Sequence, residues 1–209
     1  MSKRIRILIV DDHLAMRVGL AALIADRSGL AVVGEATNTS EAIAACEKLS
    51  PDIVLMDLRI EGGGGVDATL AIRQRWPDTR VLIVTTYDGD EDIHRAIQAG
   101  ASGYLLKGLT STELINAIEA VHLGKQVMPP TVAARLRARV VRKDLSGQEL
   151  AVLRLIVAGL GNKEIARELA ISEESVKSYI KGVFQKLSVI DRTQAAVEAI
   201  RHGIVHLDG

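Results

Sequence analysis

Cysteine is almost absent from this 209-residue chain. Cys46 stands alone, which excludes an internal disulfide framework and any cysteine-based zinc site. Aromatic residues make up only 2%, so the cores have to be filled by Val, Ile, Leu and Ala. No apolar run approaches the roughly 18–20 residues that a bilayer span needs. The opening MSKRIRILIVDD sets basic residues before an apolar stretch, but Asp11 and Asp12 end that stretch too early for a signal peptide. A cytoplasmic protein with no membrane partner is the expectation. At 48% hydrophobic and 25% charged, the composition is that of a soluble globular protein, and the length suits two ordinary domains or one large one.

Net charge is also missing, with 26 basic and 26 acidic residues, but the balance hides two opposite halves. Residues 1–122 hold 12 Lys and Arg against 17 Asp and Glu, whereas residues 123–209 hold 14 against 9. An acidic first half and a second half suited to a polyanion follow. The element pattern changes at the same place. Before residue 123, aliphatic runs (Ile5–Val10, Ala31–Val33, Ile53–Met56, Val81–Val84, Gly103–Leu106) alternate with helical patterns near 14–26, 40–49, 66–75, 90–99 and 110–122. Five βα units in series predict a parallel sheet covered by helices on both faces. A linker is expected over 124–143, with room for some helix after Pro129-Pro130. From residue 144 onward only four helical segments remain.

In a doubly wound sheet, function collects at the carboxyl ends of the strands. Those ends read Asp11-Asp12, Asp57, Thr85 and Lys107. Three carboxylates and one ammonium suit a hard divalent cation, and oxygen ligands favour Mg²⁺. Asp57 is the candidate nucleophile for a phosphoryl group, because it ends an apolar strand and precedes a loop with room for phosphate. Asp11 and Asp12 are candidates to hold the metal, and Lys107 to pair with phosphate oxygens as a point charge. The run Gly62–Gly65 lacks the Gly-Lys-Ser/Thr ending of a phosphate-binding P-loop.

The segments ILIVDDH, DIVLMDLR, VLIVTTYD and GASGYLLK resemble the receiver domain of two-component response regulators. The resemblance implies a flavodoxin-like, five-stranded doubly wound α/β domain over 1–123. It implies that Asp57 accepts a phosphoryl group from a sensor histidine kinase. It also implies that Asp11, Asp12, Asp57 and the backbone carbonyl of Arg59 surround Mg²⁺. Thr85 would turn its hydroxyl to the phosphoryl group and Tyr104 would follow by turning inward. Two departures stand out. Glu61 and four glycines replace a common Pro, which predicts a flexible, more acidic loop, and Gly108 follows Lys107 where many receivers have Pro.

The second half carries helix punctuation. Ser146 with Glu149 forms a capping box, Asn162 and Ser172 are candidate caps, and Asp191 with Gln194 opens a last helix closed by Gly203. Helix, short turn and helix over 162–187 form a helix-turn-helix layout. Val176, Ile180, Val183 and Leu187 share one face of the third helix, and Lys177, Lys181 and Gln185 share another, with Ser178 beside them. The stretch LSGQELAVLRLIVAGLGNKEIARELAISEESVKSYIKGVFQKLSVIDRTQAA resembles the LuxR-type helix-turn-helix domain, here an all-α four-helix unit over 144–209. The whole chain is most similar to the NarL/FixJ subfamily of response regulators.

That resemblance implies a regulator and not an enzyme, with double-stranded DNA met at Lys177, Ser178 and Lys181 and a homodimer contact around Thr193–Arg201. Gln148, Tyr179, Gly182 and Ser188 depart from the usual residues, and Gly182 should cost about 0.8–1 kcal/mol relative to Ala. Two other readings stay open at this point. One is an enzyme working through an aspartyl-phosphate, such as a phosphatase. The other is a DNA binder whose acidic half answers a partner protein instead of phosphate.

Overall fold

A computed structural model describes residues 4–139 and 145–206. These residues form two compact units, one taking residues up to Asp88 and Ile93–Ala133, the other Gly89–Asp92 and the residues from Ala134 onward. In the first, β1 (Ile5–Val10), α1 (Leu14–Ala25), β2 (Leu30–Ala36), α2 (Thr39–Leu49), β3 (Ile53–Met56), α3 (Gly64–Arg75), β4 (Arg80–Thr85), α4 (Asp90–Gln98), β5 (Gly103–Leu106) and α5 (Ser111–His122) alternate along the chain. The five strands pair in parallel in the order β2-β1-β3-β4-β5. The order reverses between β1 and β3, the switch point where such sheets place their sites.

A parallel sheet covered on both faces needs strands apolar on both faces. Residues 7–10 of β1 and all four residues of β3 are buried. Ile7, Ile9, Ile53, Leu55 and Leu82 share a core with Leu20 and Ile24 of α1 and Leu114, Ile115 and Ile118 of α5. Each such side chain contributes about 1.5–3 kcal/mol on burial. The alternate residues Leu8, Val54 and Met56 are equally buried on the other face.

β2 is longer than the expected 31–33. Gly34 and Glu35 interrupt its apolar run, so hydropathy alone truncates it. The pairing with β1 slips between Ile7 and Leu8, and a Cβ on Gly34 would stand 2.5 Å from Leu49 Cδ1. Glycine at that position is what lets α2 lie close to the strand.

A helix α6 (Pro130–Arg139) occupies part of the segment expected as linker, and Pro130 as its first residue suits a position whose amide has no helical partner. The expected linker residues Arg142 and Lys143 lie outside the described residues. The second unit holds α7 (Gly147–Val157), α8 (Asn162–Glu168), α9 (Glu173–Leu187) and α10 (Arg192–Arg201). Ser146, Ser172 and Asp191 cap α7, α9 and α10 by accepting from the amides of Glu149, Ser175 and Gln194. Asn162 is not the cap of α8. It is the first helical residue, and the cap position falls on Gly161, whose amide donates to Glu164 Oε2 at 2.6 Å. The Asn162 side chain instead accepts from Arg192 Nη1 at 3.4 Å, an interaction that short-range spacing cannot reveal. Among the described residues, no helix is long and apolar enough to cross a membrane.

Glu149 is the least expected member of this unit. Its Oε2 accepts from Ser146 N at 2.6 Å and from Lys186 Nζ at 2.6 Å, so the capping box of α7 is also an ion pair to α9. Burial alone would raise its pKa, but the bonds from Lys186 and Ser146 outweigh that and hold it below the ordinary carboxylate value. Gly182 lies directly beneath: a Cβ there would collide with Glu149 Oε1. The glycine read from sequence as a helix penalty therefore makes room for the carboxylate.

Candidate functional site

The register of the sheet brings the predicted acidic residues together. Val10 pairs with Met56, so Asp11 and Asp57 leave adjacent strands at the same level. Asp57 N donates to Val10 O at 2.9 Å, and Asp11 N to Ala36 O at 3.1 Å. Thr85 pairs with Leu106 on the β4–β5 side, and Lys107 N donates to Thr85 O at 2.7 Å. Four strand ends thus deliver Asp11, Asp12, Asp57, Thr85 and Lys107 to one rim.

Asp11 and Asp57 are almost entirely buried, at 1% and 4% exposure. Buried carboxylates need partners, and both share one. Lys107 Nζ lies 2.8 Å from Asp11 Oδ2 and 2.8 Å from Asp57 Oδ2. Burial acts to lower the lysine pKa, but the hydrogen bonds to Asp11 and Asp57 outweigh it and raise it above the ordinary value. Leu58 N donates to Asp57 Oδ1 at 2.8 Å, and His13 N to Asp11 Oδ1 at 2.9 Å. Asp12 is more open, and its Oδ1 lies 2.6 Å from His13 Nδ1.

Asp11, Asp12, His13 and Asp57 place a ligand atom each within 4.8 Å of one another. Three carboxylates against one ammonium leave two negative charges, which one divalent cation neutralises. The oxygen-rich donor set fits a hard ion. His13 escaped the sequence reading because nothing about a lone histidine after two aspartates distinguishes it; the signal was its place at the strand end.

The other predicted residues take defined places. Thr85 is fully buried, with Tyr87 N donating to its Oγ1 at 3.4 Å. Tyr104 is fully buried, its hydroxyl donating to the Tyr87 carbonyl at 2.7 Å, so this structure holds the inward orientation. The Arg59 guanidinium sits 5.5 Å from the centre of the Tyr87 ring. Cys46 takes no part. It is buried in the first unit, and burial pushes its thiol up to about 12, far from a nucleophile.

The glycine run, expected from the sequence to be a flexible loop, takes a backbone that suits glycine. Gly62, Gly63 and Gly64 have φ of 84°, 114° and 87°, a region that disfavours side chains. Gly65 approaches the backbone of Asp57 so closely that a Cβ would overlap that carbonyl, and the Gly65 amide donates to Leu58 O at 2.9 Å. Glu61 bridges Asn38, and its carbonyl accepts from Thr39 N at 3.0 Å, which ties the loop to the start of α2. Gly108 has φ of 100°, which proline's ring forbids, so the departure after Lys107 reflects a different turn.

In the second unit, α9 buries Val176 and Val183 completely and leaves Lys177, Ser178, Lys181 and Gln185 exposed. One helix therefore presents two lysines one turn apart, opposite its packed face.

A parallel sheet with an acid-and-lysine rim at its switch point, joined in one chain to a helix-turn-helix unit, defines a regulator with a phosphoryl-type receiver and a DNA-binding-type output. Comparison with known families agrees. The response regulator receiver domain matches residues 7–119, and the bacterial regulatory proteins of the luxR family match residues 143–199. The chain belongs to the LuxR-type two-component response regulators, a family of transcriptional regulators. It is 38% identical over 210 residues to the transcriptional regulatory protein LiaR of Bacillus subtilis, covering 97% of this chain and 100% of that one. It is 35% identical over 206 residues to the response regulator protein VraR of Staphylococcus aureus, covering 96% and 99%. RcsB from Salmonella enterica serovar Typhimurium, solved bound to a promoter with the phosphomimetic BeF₃⁻, is similar at a TM-score of 0.72 with 26% identity, over 94% of this chain and 98% of that one.

Proposed function

We propose that Asp57 takes a phosphoryl group from the phosphohistidine of a sensor histidine kinase, and that the adduct controls pairing of two copies of this chain on double-stranded DNA. On this reading the receiver spans 1–123, the linker 124–143 and the DNA-binding domain 144–209, in a cytoplasmic regulator that is not an enzyme. The observation that carries the proposal is the shared lysine: Lys107 bonds Asp11 and Asp57 at equal distance inside a buried rim. An Asp57 carboxylate oxygen attacks phosphorus as the bond from phosphorus to the imidazole nitrogen breaks, and the imidazole keeps the electron pair. Leu58 N and Lys107 hold the acceptor carboxylate in place.

Asp11, Asp12, Asp57 and the backbone carbonyl of Arg59 would hold Mg²⁺, which when bound offsets carboxylate repulsion and polarises the phosphoryl group. The adduct adds about −1.5 to −2 of charge with strong acceptors, and Lys107 and the Thr85 hydroxyl answer it. Tyr104, already inward here, is the switch whose population the adduct biases. Lys177, Ser178 and Lys181 of α9 meet phosphates and base edges, and two such helices read two half-sites. Val197 and Ile200 are exposed on α10 and supply apolar surface for the pairing.

Intact-mass analysis after treatment with acetyl phosphate and Mg²⁺ tests the acceptor. The wild type gains one phosphoryl group and Asp57→Asn gains none; equal labelling of both would refute the assignment.

A further inference from the structure

Arginine is almost never buried unless paired, and Arg17 on α1 is only 11% exposed. Its partners explain why. Nη1 donates to the backbone carbonyl of Asp11 at 2.8 Å, while Nε donates to Glu35 Oε2 at 3.0 Å near the end of β2. Helical side chains lean toward the N-terminus of their helix, and Arg17, in the first turn of α1, reaches back over the turn it follows. The Arg17 amide also donates to His13 O at 3.2 Å.

The carbonyl held by Arg17 belongs to the peptide that joins Asp11 to Asp12. The amide of Asp11 is fixed separately, by Ala36 O. Both backbone polar groups of Asp11 are therefore anchored. Asp11 has in addition a buried carboxylate bonded to Lys107 and to His13 N. Asp12 lacks such support: its side chain is 37% exposed, and His13 is the neighbour it meets. The plane of the Asp11–Asp12 peptide sets where the Asp12 carboxylate starts, so the grip on that carbonyl limits its wander. Glu35, at 43% exposure, orients the guanidinium without competing for the carbonyl. The planar fork of arginine serves two acceptors at once, which a lysine ammonium on a flexible stem does not reproduce.

We propose that Arg17 is a positioning residue for the cation site: it acts through the Asp11–Asp12 peptide to pre-set the carboxylates that bind a divalent ion. The proposal rests on the reading of Asp11, Asp12 and Asp57 as a Mg²⁺ site. Outer partners of metal ligands typically change affinity 10–100-fold when removed.

The test is calorimetric titration of the full chain with MgCl₂ in the absence of any phosphodonor, for wild type, Arg17→Met, Arg17→Lys and Glu35→Gln. Arg17→Met weakens Mg²⁺ binding by about 10-fold, and Arg17→Lys and Glu35→Gln fall between it and wild type. In acetyl phosphate labelling, the Mg²⁺ concentration at half-maximal rate rises by the same factor in Arg17→Met, while the rate at saturating Mg²⁺ stays near wild type. A purely structural arginine would lower thermal stability and leave the Mg²⁺ titration unmoved. Wild-type Mg²⁺ affinity in Arg17→Met therefore overturns the proposal, as does wild-type affinity in both milder variants if Arg17→Met fails to fold. A wild-type chain that binds no Mg²⁺ overturns the underlying site reading, and this inference with it.

Discussion

Alanine in place of Gly182 separates two accounts of the same residue. In an exposed helix interior the change should stabilise by about 0.8–1 kcal/mol, because glycine gives up more backbone freedom on folding. In this structure the new Cβ would stand too close to Glu149 Oε1 unless the carboxylate moves. The carboxylate cannot swing away freely, since its other oxygen is held by Ser146 N and Lys186 Nζ, both at 2.6 Å. Losing the charge-assisted bond to Lys186 costs about 1.5–3 kcal/mol. Set against the helical gain, Gly182→Ala should destabilise the second unit by about 0.5–2 kcal/mol. In a Glu149→Ala background the obstacle is gone, and the same substitution should stabilise by about 1 kcal/mol. The sign reversal is a coupling between neighbours that a double-mutant cycle measures directly. Native-state hydrogen exchange of the α9 amides in the full chain reads it without requiring both units to unfold together. Stabilisation by Gly182→Ala in both backgrounds would refute the packing role assigned to the glycine.

Other outcomes follow from the same geometry. Glu149 titrates below its ordinary value of 4.5 in the folded chain. Its contribution to stability is therefore present above pH 4.5 and is lost as pH falls through the folded value, and α9 exchange protection in Glu149→Gln should depend less on pH across that window. Gly65→Ala drives a methyl group into the Asp57 backbone and should cost the first unit about 1–3 kcal/mol or more, read as a lower urea midpoint. Lys177→Ala and Lys181→Ala should each weaken binding to duplex DNA and reduce the slope of log affinity against log salt by about one.

The features legible in sequence were those written in local patterns. Strand ends followed by polar residues revealed Asp11, Asp12, Asp57, Thr85 and Lys107, because a parallel sheet turns chain order into one rim. Capping at Ser146, Ser172 and Asp191 was legible for the same reason: donor and acceptor lie three residues apart. What escaped depended on contacts between distant segments. The full length of β2 is hidden in the sequence because Gly34 answers to Leu49 and not to its neighbours. Asn162 has the residue type of a cap, but its partner, Arg192, lies 30 residues away. Composition marks the glycines at 62–65 only as a loop, and contacts beyond it show that three of them take positive φ and the fourth admits the Asp57 backbone. Arg17 carried no motif of its own, and only its burial and its two acceptors single it out.

Whether an adduct on Asp57 governs how the lysines of α9 engage DNA is decided by titration of one duplex. The duplex is selected from a random pool by the full chain and is titrated with wild type and Asp57→Ala, each with and without beryllofluoride and Mg²⁺. The mimic should tighten wild-type binding by about 10-fold and leave Asp57→Ala unchanged. Equal wild-type affinity in both conditions would contradict control by the adduct.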